Sequence, residues 1–199
     1  GQIRRQRQMC IRDRCLIIIF AMSSLLHSEE NYGIVVHGGA GVMSGLSEER
    51  QQEIHKKIQE TVSEAYDILE KGGSSLDAVE LAVSMLEDSP LFNAGRGSVY
   101  NSDEVQEMDA SIMDGKNRLS GAVASVTSVK NPIKLARKVA EETKHVLLMG
   151  DGAERFAKDI GVDIVEKDYF YNEERLKRLR NSKKKVSKLN ESTDTVSYT

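Results

Sequence analysis

The sequence predicts one domain built from layers of helix and sheet, of the α/β or α+β class, and three observations carry that reading. Short runs of β-branched and small residues sit between glycines, as buried strands do. Apolar residues recur at helical spacing behind good capping residues. The elements alternate in the order strand, two helices, a group of strands, then helix, strand, helix, which calls for a sheet packed against helices.

The first strand is expected at Ile34, Val35 and Val36, just before a glycine-rich turn at His37-Gly38-Gly39-Ala40-Gly41. Ser47 then caps a helix whose first turn holds Glu48 and Glu49, favourable beside the positive end of the helix dipole. Ile54, Ile58, Val62, Ala65 and Leu69 form its apolar stripe, and Gly72-Gly73 ends it. A second helix starts at Ser74 or Ser75 and places Ala78, Val79, Ala82, Met85 and Leu86 on its apolar side.

Three strands follow, over Ser98 to Tyr100, Ala110 to Met113 and Ala122 to Val129. In the last, Ala122, Ala124, Val126 and Ser128 alternate with Val123, Ser125, Thr127 and Val129, so both faces are small or apolar, as in a sheet covered on both sides. Asn131-Pro132 starts a helix, with asparagine as cap and proline at the first helical position. Leu135, Ala136, Val139 and Ala140 form its stripe. A strand at His145 to Met149, a capped helix from Asp151 to Ile160 ending at Gly161, and a helix from Asn172 to about Arg180 complete the series. From Asn181 the chain is rich in Lys, Ser, Asn and Thr and reads as a polar linker.

A length of 199 residues suits one domain. Hydrophobic residues make up 39% and charged residues 30%, a balance suited to a globular protein with solvated ends. The net charge of −3 supplies no basic field to neutralise phosphates, so nucleic acid is not an expected partner. Arg175, Arg178, Arg180 and Lys183 to Lys185 are basic but lie in a polar tail without interleaved aromatics, and read as a solvated linker. Cys10 and Cys15 lie outside the core elements and form neither a disulfide framework nor a CxxC metal signal.

Residues 1–30 read as a leader. Arg4 to Arg14 is cationic and Leu16 to Leu26 is a short apolar run, the layout of a secretory signal and too short to span a bilayer. That layout predicts a periplasmic or secreted protein; without export the location is cytoplasmic. RQRQMCIRDR and the terminal VSYT also resemble translated sequencing-adapter sequence, which would place the native segment between about Cys15 and Thr195.

Three glycine-bearing segments need a reason beyond turns: HGGAG (37–41), FNAGRG (92–97) and Asp114-Gly115. None has the spacing of a phosphate-binding loop. His55 and His145 have no partner at metal-ligand spacing. Asp109 and Asp114 could be paired carboxylates or strand-end and turn residues.

Taken in order, VVHGGAG, GSSLDAVELAVSMLEDSPLFNAGRGSVYN, EMDASIMDG, GAVASVTSVKNPIKLARKV and HVLLMGDGAERFA resemble the successive motifs of the plant-type asparaginase and isoaspartyl aminopeptidase family, over about Ile34 to Ala157. PLFNAGRGS ahead of MDASIMDG is the specific part. Glycosylasparaginases share the DAV and MDA segments but differ around LFNAGRG, and a non-catalytic relative is the other alternative.

The resemblance implies an α+β fold, the four-layer αββα sandwich of N-terminal-nucleophile hydrolases, of which this chain holds the α-subunit half (31–180) and a linker (181–199). It implies hydrolysis of L-asparagine or β-aspartyl dipeptides by a threonine freed through self-cleavage. An internal threonine hydroxyl has no adjacent amine; once freed, its own α-amine can serve as general base. Thr195 in Asp194-Thr195-Val196 is the candidate nucleophile and Asp194–Thr195 the candidate scissile bond, although Ser197 stands where the family has glycine. Asn93 matches the family's active-site asparagine. Leu86, Glu87, Ser89, Phe92, Ala94 and Arg96 match a loop whose main-chain carbonyls hold a structural sodium ion; no cofactor is implied for catalysis. His37, Gly38, Gly39 and Gly41 match a structural turn, and no separate histidine base is needed. The implied partners are a C-terminal β-subunit half, a small amide or dipeptide substrate, and a second αβ protomer in a dimer. The chain alone is expected to be inactive.

Overall fold

The computed structural model describes residues 32–39 and 45–193, with side chains described as far as Ser187. The signal-like run, Gly41, Asp194 and Thr195 lie outside the described residues. Five helices and one three-stranded sheet make the domain α+β, and no helix among the described residues is long and apolar enough to cross a membrane.

Helix α1 (Glu48–Glu70) opens where Ser47 Oγ accepts the Arg50 N–H at 3.3 Å. It ends at Lys71, beyond which Gly72 takes a left-handed φ of +80°. Gly73 follows so close to the helix that a Cβ there would stand 2.5 Å from Ile68 Cγ2. Helix α2 (Ser75–Glu87) begins with a full capping box, in which Ser74 and Asp77 each accept the other's backbone N–H. Ala65, Ala78 and Ala82 let α1 and α2 approach closely, while Val79 is 40% exposed and leaves the expected stripe.

Ile34 and Val36 pack on this helix pair, but the segment is not a strand, and Val35 is 96% exposed. A strand needs a ladder partner, and among the described residues this segment has none. Ser98 to Tyr100 is likewise irregular. The Ser98 carbonyl accepts the Gln106 side-chain amide at 2.8 Å in place of a neighbouring strand.

Strands β1 (Met108–Asp114) and β2 (Leu119–Val126) form an antiparallel hairpin, and β3 (Leu147–Met149) adds parallel to β2, giving the order β1-β2-β3. Asp114 shapes the hairpin turn by accepting from Lys116 N–H at 2.9 Å and Asn117 Nδ2 at 3.1 Å. The expected alternation along β2 fails at Ser125, whose φ is +53° and whose N–H goes to Asp109 Oδ1 at 2.8 Å. This bulge shifts the register, so Val123 and Val126 are both buried instead of facing opposite ways.

The strand stops at Val126, short of Val129. Beyond it, Glu154 Oε1 accepts Thr127 N–H at 2.6 Å, Thr127 Oγ1 at 2.9 Å and Ser128 N–H at 3.0 Å. One carboxylate thus replaces the missing neighbour strand.

Helix α3 (Pro132–Glu142) covers one sheet face with Ile133, Leu135, Ala136 and Val139, all buried in the main core. Its closest approach is at Gly121, where a Cβ would stand 2.2 Å from the Ala136 carbonyl. Arg137 ties α3 to α2 through Asp77 at 2.7 Å and Glu80 at 3.1 Å. Helix α4 (Gly150–Asp159) buries Ala153 and Ala157; it lacks the expected side-chain cap. Helix α5 (Glu173–Thr193) starts at Asn172, whose Oδ1 accepts Arg175 N–H at 3.1 Å, and continues past Arg180 through the stretch read as a linker. That stretch contains no Gly or Pro to stop a helix.

Among the described residues, the second sheet face is left exposed. Ser111, Ala122 and Leu147 lie in one cross-strand row, with Ala124 and Met149 beside it. Met113, Leu147 and Met149 are 70%, 51% and 62% exposed.

Candidate active-site loop

The loop from Glu87 to Val99 joins α2 to the segment before β1, and its glycines set its path. Gly95 has φ +47°, and a Cβ on it would stand 2.2 Å from the Glu87 carbonyl oxygen. A Cβ on Gly97 would stand 2.0 Å from the Phe92 carbonyl oxygen. Only glycine permits these approaches. Ser98 Oγ donates to the Gly95 carbonyl at 2.7 Å and Gly97 N–H to the Ala94 carbonyl at 2.9 Å, closing a short 3-10 turn over Gly95–Gly97.

Phe92 is buried and anchors the loop, whereas the next residue, Asn93, is exposed. Asn93 Oδ1 accepts the Val99 N–H at 2.9 Å, which fixes the side chain by one end. Among the described residues the amide Nδ2 has no hydrogen-bond partner and remains a donor.

The glycine turn meets this loop directly. A Cβ on Gly38 would lie 3.1 Å from Phe92 Cε1 and 3.0 Å from Ile58 Cδ1. His37 Nδ1 accepts Gly39 N–H at 3.2 Å, across a turn in which Gly39 has φ +97°. The structure therefore brings Gly38 against Phe92, with His37 and Gly39 flanking it in the turn.

Leu86 and Glu87 end α2, and Ser89, Phe92, Ala94 and Arg96 follow on this loop. Its carbonyls at Glu87 and Phe92 point at the glycine backbone, while those of Leu86 and Ala94 accept N–H groups of Ser89 and Gly97. Among the described residues no group of three or more His, Cys, Asp or Glu side chains could hold a metal. Arg96 is exposed and stacks its guanidinium 5.4 Å from the Tyr169 ring centroid. Tyr169 in turn donates to Asp88 Oδ1 at 3.2 Å, which also receives Asn131 Nδ2 at 3.2 Å.

Sequence reasoning missed the second use of this segment. Asn131 holds the N-cap position ahead of Pro132 as expected, but its side chain does not cap α3. The side chain of Glu87, 3% exposed, does so, its Oε1 accepting Ile133 N–H at 3.0 Å. Burial pushes the Glu87 carboxyl up to about 7, against the lowering effect of that N–H. Oε2 is buried without a hydrogen-bond partner among the described residues. The available signal was its position four residues after Val83, on the buried side of α2.

The sequence model of the asparaginase family matches residues 30–199. The chain belongs to the asparaginase family. Relatives include an isoaspartyl peptidase/L-asparaginase from Rattus norvegicus, 48% identical over 150 residues, covering 75% of this chain and 44% of the relative. A plant-type L-asparaginase from Thermococcus kodakarensis is 49% identical over 153 residues, covering 77% and 48%. A putative isoaspartyl peptidase/L-asparaginase from Dictyostelium discoideum is 45% identical over 152 residues, covering 75% and 44%. This asparaginase-family chain thus spans a little under half the length of the curated relatives it matches.

Proposed function

We propose that this chain is the α-subunit part of a self-cleaving threonine hydrolase acting on L-asparagine, β-aspartyl dipeptides or both. The observation that carries the reading is Asn93: an exposed amide on a loop locked by Gly95, Gly97 and the Val99 N–H, within a chain whose relatives bear those activities in their names.

In this reading the bond between Asp194 and Thr195 breaks, and Thr195 gains a free α-amine. That amine takes the proton from its own hydroxyl as the oxygen attacks the substrate's side-chain amide carbonyl. Asn93 Nδ2 donates to the nucleophile or to the developing oxyanion; a preorganised donor of this kind contributes about 3–4 kcal/mol to lowering the barrier. The C–N bond breaks, the leaving ammonia or amine takes the proton, and water hydrolyses the acyl-threonine ester. The carbonyls of Leu86, Glu87, Ser89, Phe92, Ala94 and Arg96 would hold a sodium ion that stiffens the loop, with no part in the chemistry.

The remaining half of the protein is the partner we assign to the exposed sheet face of Met113, Leu147 and Met149, completing an αββα sandwich; two αβ protomers then form a dimer. Without that half the chain is inactive. Export to the periplasm or outside the cell would follow from the apolar run at 16–26. Expression of the complete protein, followed by assay of L-asparagine and β-aspartyl-leucine against glycosylated asparagine, tests the reading. Release of ammonia or leucine supports it, and activity confined to glycosylated asparagine contradicts it.

A further inference from the structure

A concave site lies where the glycine turn, α1, the Phe92 loop and the start of α5 meet. It is lined by Gly38, Leu46, Ile54 and Phe92, by the arginines 50, 175 and 178, and by Glu174. The three arginines differ in their partners. Arg50 pairs with Glu53 at 3.0 Å and Arg178 with Glu174 at 2.5 Å. Arg175 is half-buried, and its guanidinium makes no hydrogen bond or ion pair among the described residues; only its backbone N–H is engaged, by Asn172.

An arginine cannot shed its charge, so partial burial without a counter-ion is unfavourable. Burial, and after it the charge of Arg178, act against the Arg175 cation; Glu174 offsets this in part, and Arg50 adds to it. Among the described residues the cleft lining therefore combines a planar donor fork that has no paired carboxylate, that of Arg175, with the apolar side chains of Leu46, Ile54 and Phe92. A fork of this kind matches a carboxylate in geometry as well as charge.

We propose that the Arg175 cleft binds a small organic carboxylate with an apolar body, the carboxylate on the guanidinium and the body against Leu46, Ile54 and Phe92. Through Phe92 the cleft shares a wall with the loop that carries Asn93, so occupancy bears directly on that loop. The proposal concerns ligand binding in this cleft and does not depend on the amide-hydrolysing chemistry proposed above.

Calorimetric titration of the complete protein with sodium benzoate tests the proposal, with benzyl alcohol, acetate and inorganic phosphate as comparison probes. Saturable benzoate binding is expected, with acetate and phosphate weaker and benzyl alcohol not binding saturably. Arg175→Gln should weaken benzoate about tenfold or more, the loss expected for one charge-assisted contact, while Arg175→Lys retains part of the affinity. Absence of saturable benzoate binding overturns the proposal, as does equal binding by Arg175→Gln. Phosphate or acetate binding as tightly as benzoate overturns the apolar half of it. The wild-type probe series, repeated with saturating L-aspartate to occupy the substrate site, decides the matter even if the variants fold poorly: benzoate binding abolished by L-aspartate overturns the proposal.

Discussion

Gly95 runs against the carbonyl of Glu87 so closely that a Cβ would stand 2.2 Å from the oxygen, with φ at +47°. The contact links the last turn of α2 to the loop that presents Asn93, so the loop's shape depends on one missing methyl group.

Gly95→Ala should therefore distort the loop, costing about 2–3 kcal/mol in stability from overpacking and left-handed strain together. Gly115→Ala, with nothing within 4 Å of the added carbon, should change stability by less than about 0.5 kcal/mol. Denaturant unfolding of both variants checks the contrast, and equal effects would contradict the close approach.

Asn93 serves two partners, and two substitutions separate them. Asn93→Asp keeps an oxygen for the Val99 N–H but removes the amide donor; Asn93→Ala removes both. In the complete enzyme, turnover should fall about 10²–10³-fold in either variant, while only Asn93→Ala lowers the melting temperature clearly. Turnover in Asn93→Asp close to wild type would remove Asn93 from the chemistry.

The Glu87 carboxyl predicts a pH dependence of stability. Its pKa rises from the ordinary 4.5 to about 7 on folding, so the folded chain holds a proton there that the unfolded chain releases. Its stabilising contribution is full below pH 4.5, falls as pH rises towards 7 by up to ~1.4 kcal/mol per pH unit, and is level above 7. For Glu154 burial acts to raise the pKa, but the Thr127 and Ser128 donors hold it below the usual value. Its contribution is lost only as pH falls below the carboxylate range, outside this window. Glu87→Gln keeps an acceptor for Ile133 and should flatten the slope. Urea unfolding at pH 5 and pH 8, at fixed sodium, measures it; an identical slope in the variant would show that Glu87 is charged throughout.

Glu154→Ala leaves the N–H groups of Thr127 and Ser128 without their shared acceptor at the end of β2. A loss of about 2–3 kcal/mol is expected, since a part-buried donor stripped of its acceptor retains its desolvation cost. Faster amide hydrogen exchange at Thr127 and Ser128 should accompany it.

These cases show what could be read from sequence. Helices α1 and α2 were legible because Ser47 and the Ser74–Asp77 box act within one turn, and the α3 stripe because Leu135, Ala136 and Val139 repeat at helical spacing. The Ser125 bulge, the Glu154 terminator and the Glu87 cap were not legible, because each joins residues far apart in the chain through a geometry no local pattern encodes. Strands at Ile34 to Val36 and Ser98 to Tyr100 failed for a related reason: β-branched residues favour extended backbone, but a ladder requires a partner. Of the site, the FNAGRG loop and the glycine turn were visible as motifs, whereas their meeting at Gly38 and Phe92 required coordinates.

The central claim is self-activation at a threonine, and the intact mass of the purified complete protein tests it most directly. The account predicts two polypeptides whose masses place the break between Asp194 and Thr195, and a single uncut polypeptide that nonetheless hydrolyses asparagine or β-aspartyl-leucine would contradict it.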